Sequence, residues 1–386
     1  MTEPYHIAIA GETYSANLGD GVIAETLAHI LMKTISTASV SFIDISGRDG
    51  WQPSSNDATV GNVPILLSPQ INNLLRWHLA RKIRYGALWQ THMDKASALL
   101  VGGGQLLMDN DLDFPLKVHA IVRAAVRRDL PVHFVACGVN PNWSPRAARL
   151  FREALEYAAT ISVRDAVSAV ALKKLIPQID PHIVVDPAIW AANLYGHDPN
   201  DPHDSLVGLG VISLAAVNRR LRSALTGHQL ASVWEGIIRE LIEQGHTVEL
   251  FTNGTGDDYV TAQQFSELIK ENYGLHCAVA PRPVRPVELA WRISRYSAII
   301  AARLHANIIA TSYRIPVVGL SWDKKVESFF EVIGRPDLSL DLMDTTTEDV
   351  MIAFQNATAN TLEPDKLDAL QAAAMSGIEL ITPYFA

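Results

Sequence analysis

The chain has 386 residues, 48% hydrophobic and 19% charged, without a low-complexity tract, so it reads as an ordinary soluble globular protein with material for two cores of about 150 to 200 residues each. A formal charge of −9 and a pI near 5.8 give no electrostatic footprint for nucleic acid, and any anion site must be local. The two cysteines, Cys137 and Cys277, have neither the number nor the spacing of a disulfide framework or a zinc site and are expected to be buried, inert thiols.

The opening segment MTEPYHIAIAGETYSANLGD lacks a basic stretch followed by a long apolar one, and no run of about 18 apolar residues occurs anywhere, so the expected location is the cytoplasm. HIAIA is a strand in which Ile7 and Ile9 alternate with smaller residues before Gly11, and Ile23, Leu27, Ile30 and Leu31 then keep helical spacing. The loop between them, Ser15-Ala-Asn-Leu-Gly-Asp-Gly21, can offer amides and a helix N-terminus to an anion, while Asp20 equally suits an N-cap. It matches neither a P-loop nor a dinucleotide fingerprint.

VSFIDI, ALLV, VHFVA, TISV and HIVV continue as short β-rich runs with helical segments between most of them, the grammar of a parallel sheet. The glycines Gly102, Gly103 and Gly104 after ALLV predict a tight turn at a strand's carboxyl end, facing the crevice of an open sheet. The acidic stretch from Asp109 to Asp113 has Phe114 where a calcium loop needs glycine, so a solvated loop is expected. Arg164 falls where TISV ends, with Asp165 placed to cap the helix carrying Ser168 and Leu172. An arginine there can bind a carboxylate or phosphate bidentately, or simply pair with an acid.

Residues 193–205, rich in Gly, Pro, Asn and Asp, predict an interdomain linker. The pattern then restarts with SLVGLGVISL, whose glycines sit inside an apolar strand, followed by HTVELF, SAIIAA and IPVVGL. The last forty residues lack a β-rich run and predict two helices that pack back against either domain. The expected organisation is α/β: Rossmann-like domains over 1–195 and 205–345, with C-terminal helices over 346–386.

Arg303 and His305 fall at the carboxyl end of SAIIAA, where a helix begins; Asp323 can cap a further helix with Lys325 in its first turn. A cation in a first turn costs about 0.3 to 1 kcal/mol, a penalty that disappears when an anion occupies the site, so an acidic small molecule explains the cluster better than packing. A satisfied structural histidine is the competing explanation. HExxH, GxSxG, Cys/His metal spacing and kinase signatures are all missing from the sequence, which removes hydrolase and metalloenzyme expectations.

Taken in order over residues 5 to 330, Asn17-Leu-Gly-Asp20, Gly102-Gly-Gly104, the glycine turn at Gly138, Ser162-Val-Arg-Asp165, Asp186-Pro-Ala188, Arg303-Leu-His-Ala306 and Trp322-Asp-Lys-Lys-Val326 resemble the polysaccharide pyruvyl transferase family. The resemblance implies a glycosyltransferase-B-like fold whose two domains face a cleft, and transfer of pyruvate from phosphoenolpyruvate to a sugar as a ketal. It implies that Arg164, Leu304 and His305 hold the donor, with Arg303 and Lys325 as supporting cations. On this basis the N-terminal domain is the acceptor side, with Asn17, Gly19, Gly102, Gly103 and Gly104 as its loop residues, and the C-terminal domain is the donor side.

His305 is the candidate general acid or, alternatively, only a phosphate ligand, and Asp20 is the candidate base. The expected partners are phosphoenolpyruvate and a glycan or lipid-linked sugar, without cofactor, metal or nucleic acid, and with peripheral contact at the inner membrane face left open. Two departures stand out: Gly138-Val-Asn-Pro141 replaces the commoner Gly-x-Gly-Pro, and Trp322 replaces the commoner Tyr. Two competing functions share the pattern: a nucleotide-sugar glycosyltransferase and a catalytically silent glycan- or anion-binding protein.

Overall fold

The computed structural model describes residues 5–51, 86–197, 206–218 and 227–385. Residues 198–205 of the expected linker lie outside the described residues. Two six-stranded parallel sheets account for the β-rich runs. The first is built from β1 (His6–Gly11), β2 (Ser39–Asp44), β3 (Ala98–Leu107), β4 (Val132–Val139), β5 (Ala158–Val163) and β6 (His182–Ile183), in the order β2-β1-β3-β4-β5-β6. The second contains β7 (Leu206–Gly210), β8 (Thr247–Phe251), β9 (Ala278–Val279), β10 (Ala298–Ala301), β11 (Val317–Ser321) and β12 (Ser339–Asp341), in the order β12-β11-β10-β7-β8-β9. Strands β4, β7, β10 and β11 are buried along their whole length, because helices cover both faces; their sequences are therefore continuous apolar runs and not alternating ones. Edge strands β6, β9 and β12 are only two or three residues long, which leaves little edge for another chain to pair with.

Both sheets change winding direction in the middle, the first between β1 and β3 and the second between β7 and β10. At such a switch point the connections leave in opposite directions and open a crevice beyond the strands' carboxyl ends. The Leu18–Thr34 helix starts at the first switch point and the Leu304–Ser312 helix at the second. They meet: a Cβ on Gly19 would lie 2.3 Å from Nδ1 of His305, so only glycine allows this approach. The amide of Leu18 also donates to the Asn253 carbonyl at 2.8 Å, tying the first helix to the loop after β8.

The predicted glycine turn is instead part of β3, which runs on to Leu107. Gly103 and Gly104 have φ of +70° and +83°, and the register with β4 shifts between Gly104 and Leu107. Three residues that could have made a turn make a bulge, because continued pairing with β4 retains backbone hydrogen bonds that a turn would lose. In β4, Ala136 also has positive φ, +52°, and its amide is satisfied by Ser162 Oγ at 3.0 Å. Both irregularities border the crevice.

Helices Thr347–Ala359 and Pro364–Glu379 end the chain. Thr347 packs against Gly236 of the second lobe, whereas Gly377 lies against Val135, Ser162 and Val184 of the first. Trp190 Nε1 donates to the Gln371 carbonyl at 3.0 Å, so the final helix fastens back onto the N-terminal sheet. Cys137 and Cys277 are buried free thiols, pushed up to about 12 by burial.

His133 in β4 is buried beneath the chain's end, with Nδ1 2.9 Å from Thr160 Oγ1 and its ring edge-on to Tyr384 at 4.8 Å. Burial lowers its pKa from 6.5 to about 4, so below about pH 6.5 the unfolded chain binds a proton that the folded chain resists. Stability is therefore expected to fall as pH drops from about 6.5 towards 4. Urea unfolding at pH 7 and pH 5 should show His133 removing about 2 kcal/mol at the lower pH, a loss absent from His133→Phe.

Candidate functional site

Arg164 follows β5 directly, and Asp165 caps the next helix by accepting from the Ser168 amide at 2.6 Å. The cap turns the chain so that the guanidinium lies over β4: a Cβ on Gly138 would be 2.8 Å from Nη2 and 2.9 Å from Cζ. Gly138, within β4, is thus a seat for the arginine, and Arg164 is buried there. On the other lobe Arg303 is the N-cap residue of the Leu304–Ser312 helix, and His305 is its second residue.

The two lobes meet on one carboxylate. Asp186 Oδ2 lies 3.4 Å from Arg164 Nη1 and 3.8 Å from His305 Nε2, and all three side chains are buried. At 3.8 Å the contact with His305 is beyond hydrogen-bond reach, and Nε2 has no hydrogen-bond partner among the described residues. The other carboxylate oxygen, Oδ1, accepts from the Ala188 amide at 3.0 Å and caps the turn Pro187–Trp190. Burial by itself would raise the Asp186 carboxyl; the facing His305, Arg164 and the Ala188 amide outweigh it and hold the group below the usual carboxylate range.

Asp20 is the third residue of its helix, not the cap; Asn17 takes that place and donates from Nδ2 to Asp20 Oδ2 at 3.2 Å. Burial lifts the Asp20 carboxyl above its ordinary range, with Glu12 adding to the effect and His305 and Lys325 opposing it. Gly104 lies beside it, since a Cβ there would be 3.5 Å from Asp20 Oδ1. Gly102 packs against the Val135 carbonyl and Gly103 against Ile23, so these two glycines serve close backbone packing. The Asp20 carboxyl and the Asp186 carboxylate therefore act on His305 from the N-terminal lobe.

Lys325 sits behind the Asp323 cap, with Nζ 5.1 Å from the Trp322 ring centroid and 3.8 Å from Asp323 Oδ2. The tryptophan at this position gives the ammonium a cation–π surface stronger than tyrosine offers. Lys325, Arg164, Asp165, Asp186, Leu304, Ile308 and Phe329 help to wall a cavity of about 20 Å³, little more than one water needs. His305 is not one of its walls and adjoins it through Asp186. Arg164 lies at the end of the first sheet, and Leu304, His305 and Lys325 at strand ends of the second.

Arg303 is the exception. Its Nε and Nη2 lie 2.9 and 2.7 Å from Asp258 Oδ2, and Asp258 Oδ1 accepts from the Ser213 amide at 2.8 Å. Its charge is matched inside the C-terminal lobe, so it contributes scaffold more than free positive charge. The acidic loop expected to be solvated is also structured: Asp109 accepts from the Leu112 and Ser144 amides, each at 2.9 Å, and Asp113 pairs with Lys117 at 2.6 Å.

Sequence reasoning gave no role to Asp186, although an acidic residue before Pro marks a helical start. It also gave none to Glu12, which Lys117 and Arg48 hold below the usual range against burial. Nor did it find Asp258, whose pairing with Arg303 spans 45 positions and has no local signal. Removing Arg303 strands a fully buried carboxylate, so Arg303→Ala should cost about 3 to 5 kcal/mol in urea unfolding. The double variant with Asp258→Ala should recover part of that loss.

With this geometry in view, residues 17–324 match the polysaccharide pyruvyl transferase family. A curated relative, the amylovoran biosynthesis protein AmsJ of Erwinia amylovora, is 22% identical over 263 residues, covering 64% of this chain and 61% of that protein. Among solved structures, UDP-GlcNAc 2-epimerase from Methanocaldococcus jannaschii superposes with a TM-score of 0.60 at 10% identity, over 98% of this chain and 99% of that one. Phytolacca americana UGT2, complexed with UDP-2fluoro-glucose and pterostilbene, gives 0.55 at 12% identity, over 98% of each chain. At such identities these likenesses establish the two-domain glycosyltransferase-B-like fold, and the match over most of the sequence establishes the lineage: the chain belongs to the polysaccharide pyruvyl transferase family.

Proposed function

We propose that this protein transfers pyruvate from phosphoenolpyruvate to a sugar of a polysaccharide or its lipid-linked precursor, forming a ketal. The observation that carries this reading is the convergence of Arg164, His305 and Lys325, from two sheets, around one buried carboxylate in a chain of this family. The donor has a phosphate and a carboxylate, roughly three negative charges near neutral pH, so a single arginine would undercompensate it away from water. Arg164 and Lys325 supply two full cations and His305 a third when protonated, while Leu304 contributes an apolar wall. The cavity of about 20 Å³ is too small for a three-carbon phosphate ester, so its walls part when the donor binds.

In the reaction, protonated His305 gives its proton to the donor's methylene carbon, and C2 becomes electrophilic. A sugar hydroxyl forms a C–O bond at C2 and passes its proton to Asp20, whose raised carboxyl suits proton exchange nearer neutral pH. The bond from C2 to the phosphate oxygen breaks and phosphate leaves. A second hydroxyl closes the ketal and loses its proton; of the two hydroxyl protons, one balances the new methyl C–H and the other leaves on phosphate. Residues 1–195, with Asn17, Gly19 and Gly102 to Gly104 near Asp20, form the acceptor side. Residues 205–345 carry most of the donor side, with Arg164 and Asp186 reaching across, and residues 346–386 fasten the lobes together. We assign the reaction to the cytoplasm, and to the inner membrane face in the case of a lipid-linked acceptor.

Phosphoenolpyruvate should raise the melting temperature, a panel of nucleotide sugars should not, and phosphate should be released from the donor only when a glycan acceptor is supplied. Stabilisation by a nucleotide sugar alone would favour a glycosyltransferase, and donor binding without phosphate release would favour a silent binding protein. Arg164→Ala should abolish the donor-induced stabilisation. His305→Ala should weaken it without abolishing it, Arg164 and Lys325 remaining, while losing on the order of 100-fold or more in turnover at saturating donor; near-normal turnover would remove His305 from catalysis.

A further inference from the structure

We propose that Asn253, with Thr255 and Asn17, forms a hydroxyl-binding subsite at the lobe junction that takes one pyranose ring of the acceptor. This inference rests on the pyruvyl-transfer reading and gives the C-terminal lobe a part in acceptor choice that the reading leaves to residues 1–195. Asn253 lies just beyond β8 and is 1% exposed, yet neither Nδ2 nor Oδ1 of its side chain has a hydrogen-bond partner among the described residues. No other described side chain leaves two such atoms. A buried amide of this kind is costly, and folded proteins keep one where a water or a ligand meets it.

The surrounding loops locate it. The Asn253 carbonyl accepts from the Leu18 amide at 2.8 Å, and a Cβ on Gly254 would lie 2.7 Å from the Ala16 carbonyl. Gly254 has φ of +103°, its amide donates to Thr252 Oγ1 at 3.3 Å and its carbonyl accepts from Arg282 Nε at 2.6 Å, so the loop is held from several sides. Asn17 is flanked by Ala16 and Leu18, which pack on Gly254, and is followed after Leu18 by Gly19, which packs on His305. Its Nδ2 donates to Asp20, and its Oδ1 is a buried acceptor without a partner among the described residues. Thr255 occupies the N-cap position of the Gly256–Tyr273 helix, but its hydroxyl caps nothing and is likewise buried and unmet.

The chemistry of these groups selects a neutral polyol. Two amide oxygens repel an anion, whereas a sugar hydroxyl can donate to a carbonyl oxygen and accept from an amide or a hydroxyl. The cations are committed elsewhere: Arg164 and Lys325 wall the cavity beside Asp186, and Arg303 is bound by Asp258. A ring held by Asn17 is next to Asp20, the group assigned as base. The opening that admits the donor also uncovers these atoms, which the closed junction buries.

Asn253→Leu is of similar size and removes both polar atoms. The free variant should melt at or above the wild-type temperature, because a buried unmet amide is gone. Saturation-transfer NMR with methyl glycosides of galactose, glucose and mannose, recorded without donor, should show at least one of them bound by the wild type and bound at least about tenfold more weakly by the variant. With phosphoenolpyruvate present, the Michaelis constant for that glycoside should rise by a similar factor while the constant for phosphoenolpyruvate stays unchanged. Equal sugar affinity in the wild type and a folded Asn253→Leu overturns the proposal and leaves the amide to a buried water. So does a wild type that binds none of the three glycosides. If Asn253→Leu fails to fold, Asn253→Ser decides by the same comparison of affinities; if neither folds, the amide is structural and the proposal falls. Sugar binding that depends on Asn253 in a protein that transfers no pyruvate sinks the functional reading and leaves the subsite standing; transfer with an unchanged acceptor constant in the variant does the reverse.

Discussion

The structure depends on a buried carboxylate shared between lobes. Asp186 bridges Arg164, from the end of one sheet, and His305, from the end of the other, and none of the three is exposed. Removing Arg164 takes the nearer cation from a carboxylate buried in a low-dielectric junction, which is costly enough that these positions constrain one another. The fold around them reflects this constraint. Gly138 has no Cβ so that the guanidinium can lie flat on β4, Gly19 has none so that the imidazole can reach the opposing helix, and Asp165 and Asp186 turn the chain at the strand ends.

Two six-stranded sheets, each with a switch point, explain why the junction lies where it does. Opposite-handed connections leave a crevice over β1 and β3 in one lobe and over β7 and β10 in the other, and the helices that begin there meet end to end. The same architecture in epimerases and glycosyltransferases shows that the frame itself is indifferent to chemistry. In this chain the junction carries Arg164, Asp186 and His305, with Lys325 beside it.

The fold was largely legible because strands covered on both faces must be apolar throughout, as SAIIAA and IPVVGL are, and because turn-rich stretches interrupt the pattern where the chain changes element. The helix caps Asp165 and Asp323 were equally legible, since capping is local chemistry. Tertiary pairing was not. Arg303 and Arg164 look alike in sequence, yet one is bound to Asp258 across 45 positions and the other reaches the lobe junction. The glycines after ALLV suggest a turn, but the neighbouring strand β4 decides in favour of a bulge. Asp20 resembles a cap and proves to be a partner of one, because only the backbone angles at Asn17 mark where the helix starts.

The central claim is that one small anion is gripped from both lobes at once. The most direct measurement is a crystal structure of the protein with phosphoenolpyruvate. The account predicts the donor's phosphate and carboxylate within hydrogen-bond distance of both Arg164 and His305, with the cavity beside Asp186 and Leu304 widened to admit it. Donor density confined to one lobe, or lying away from Arg164, would contradict it.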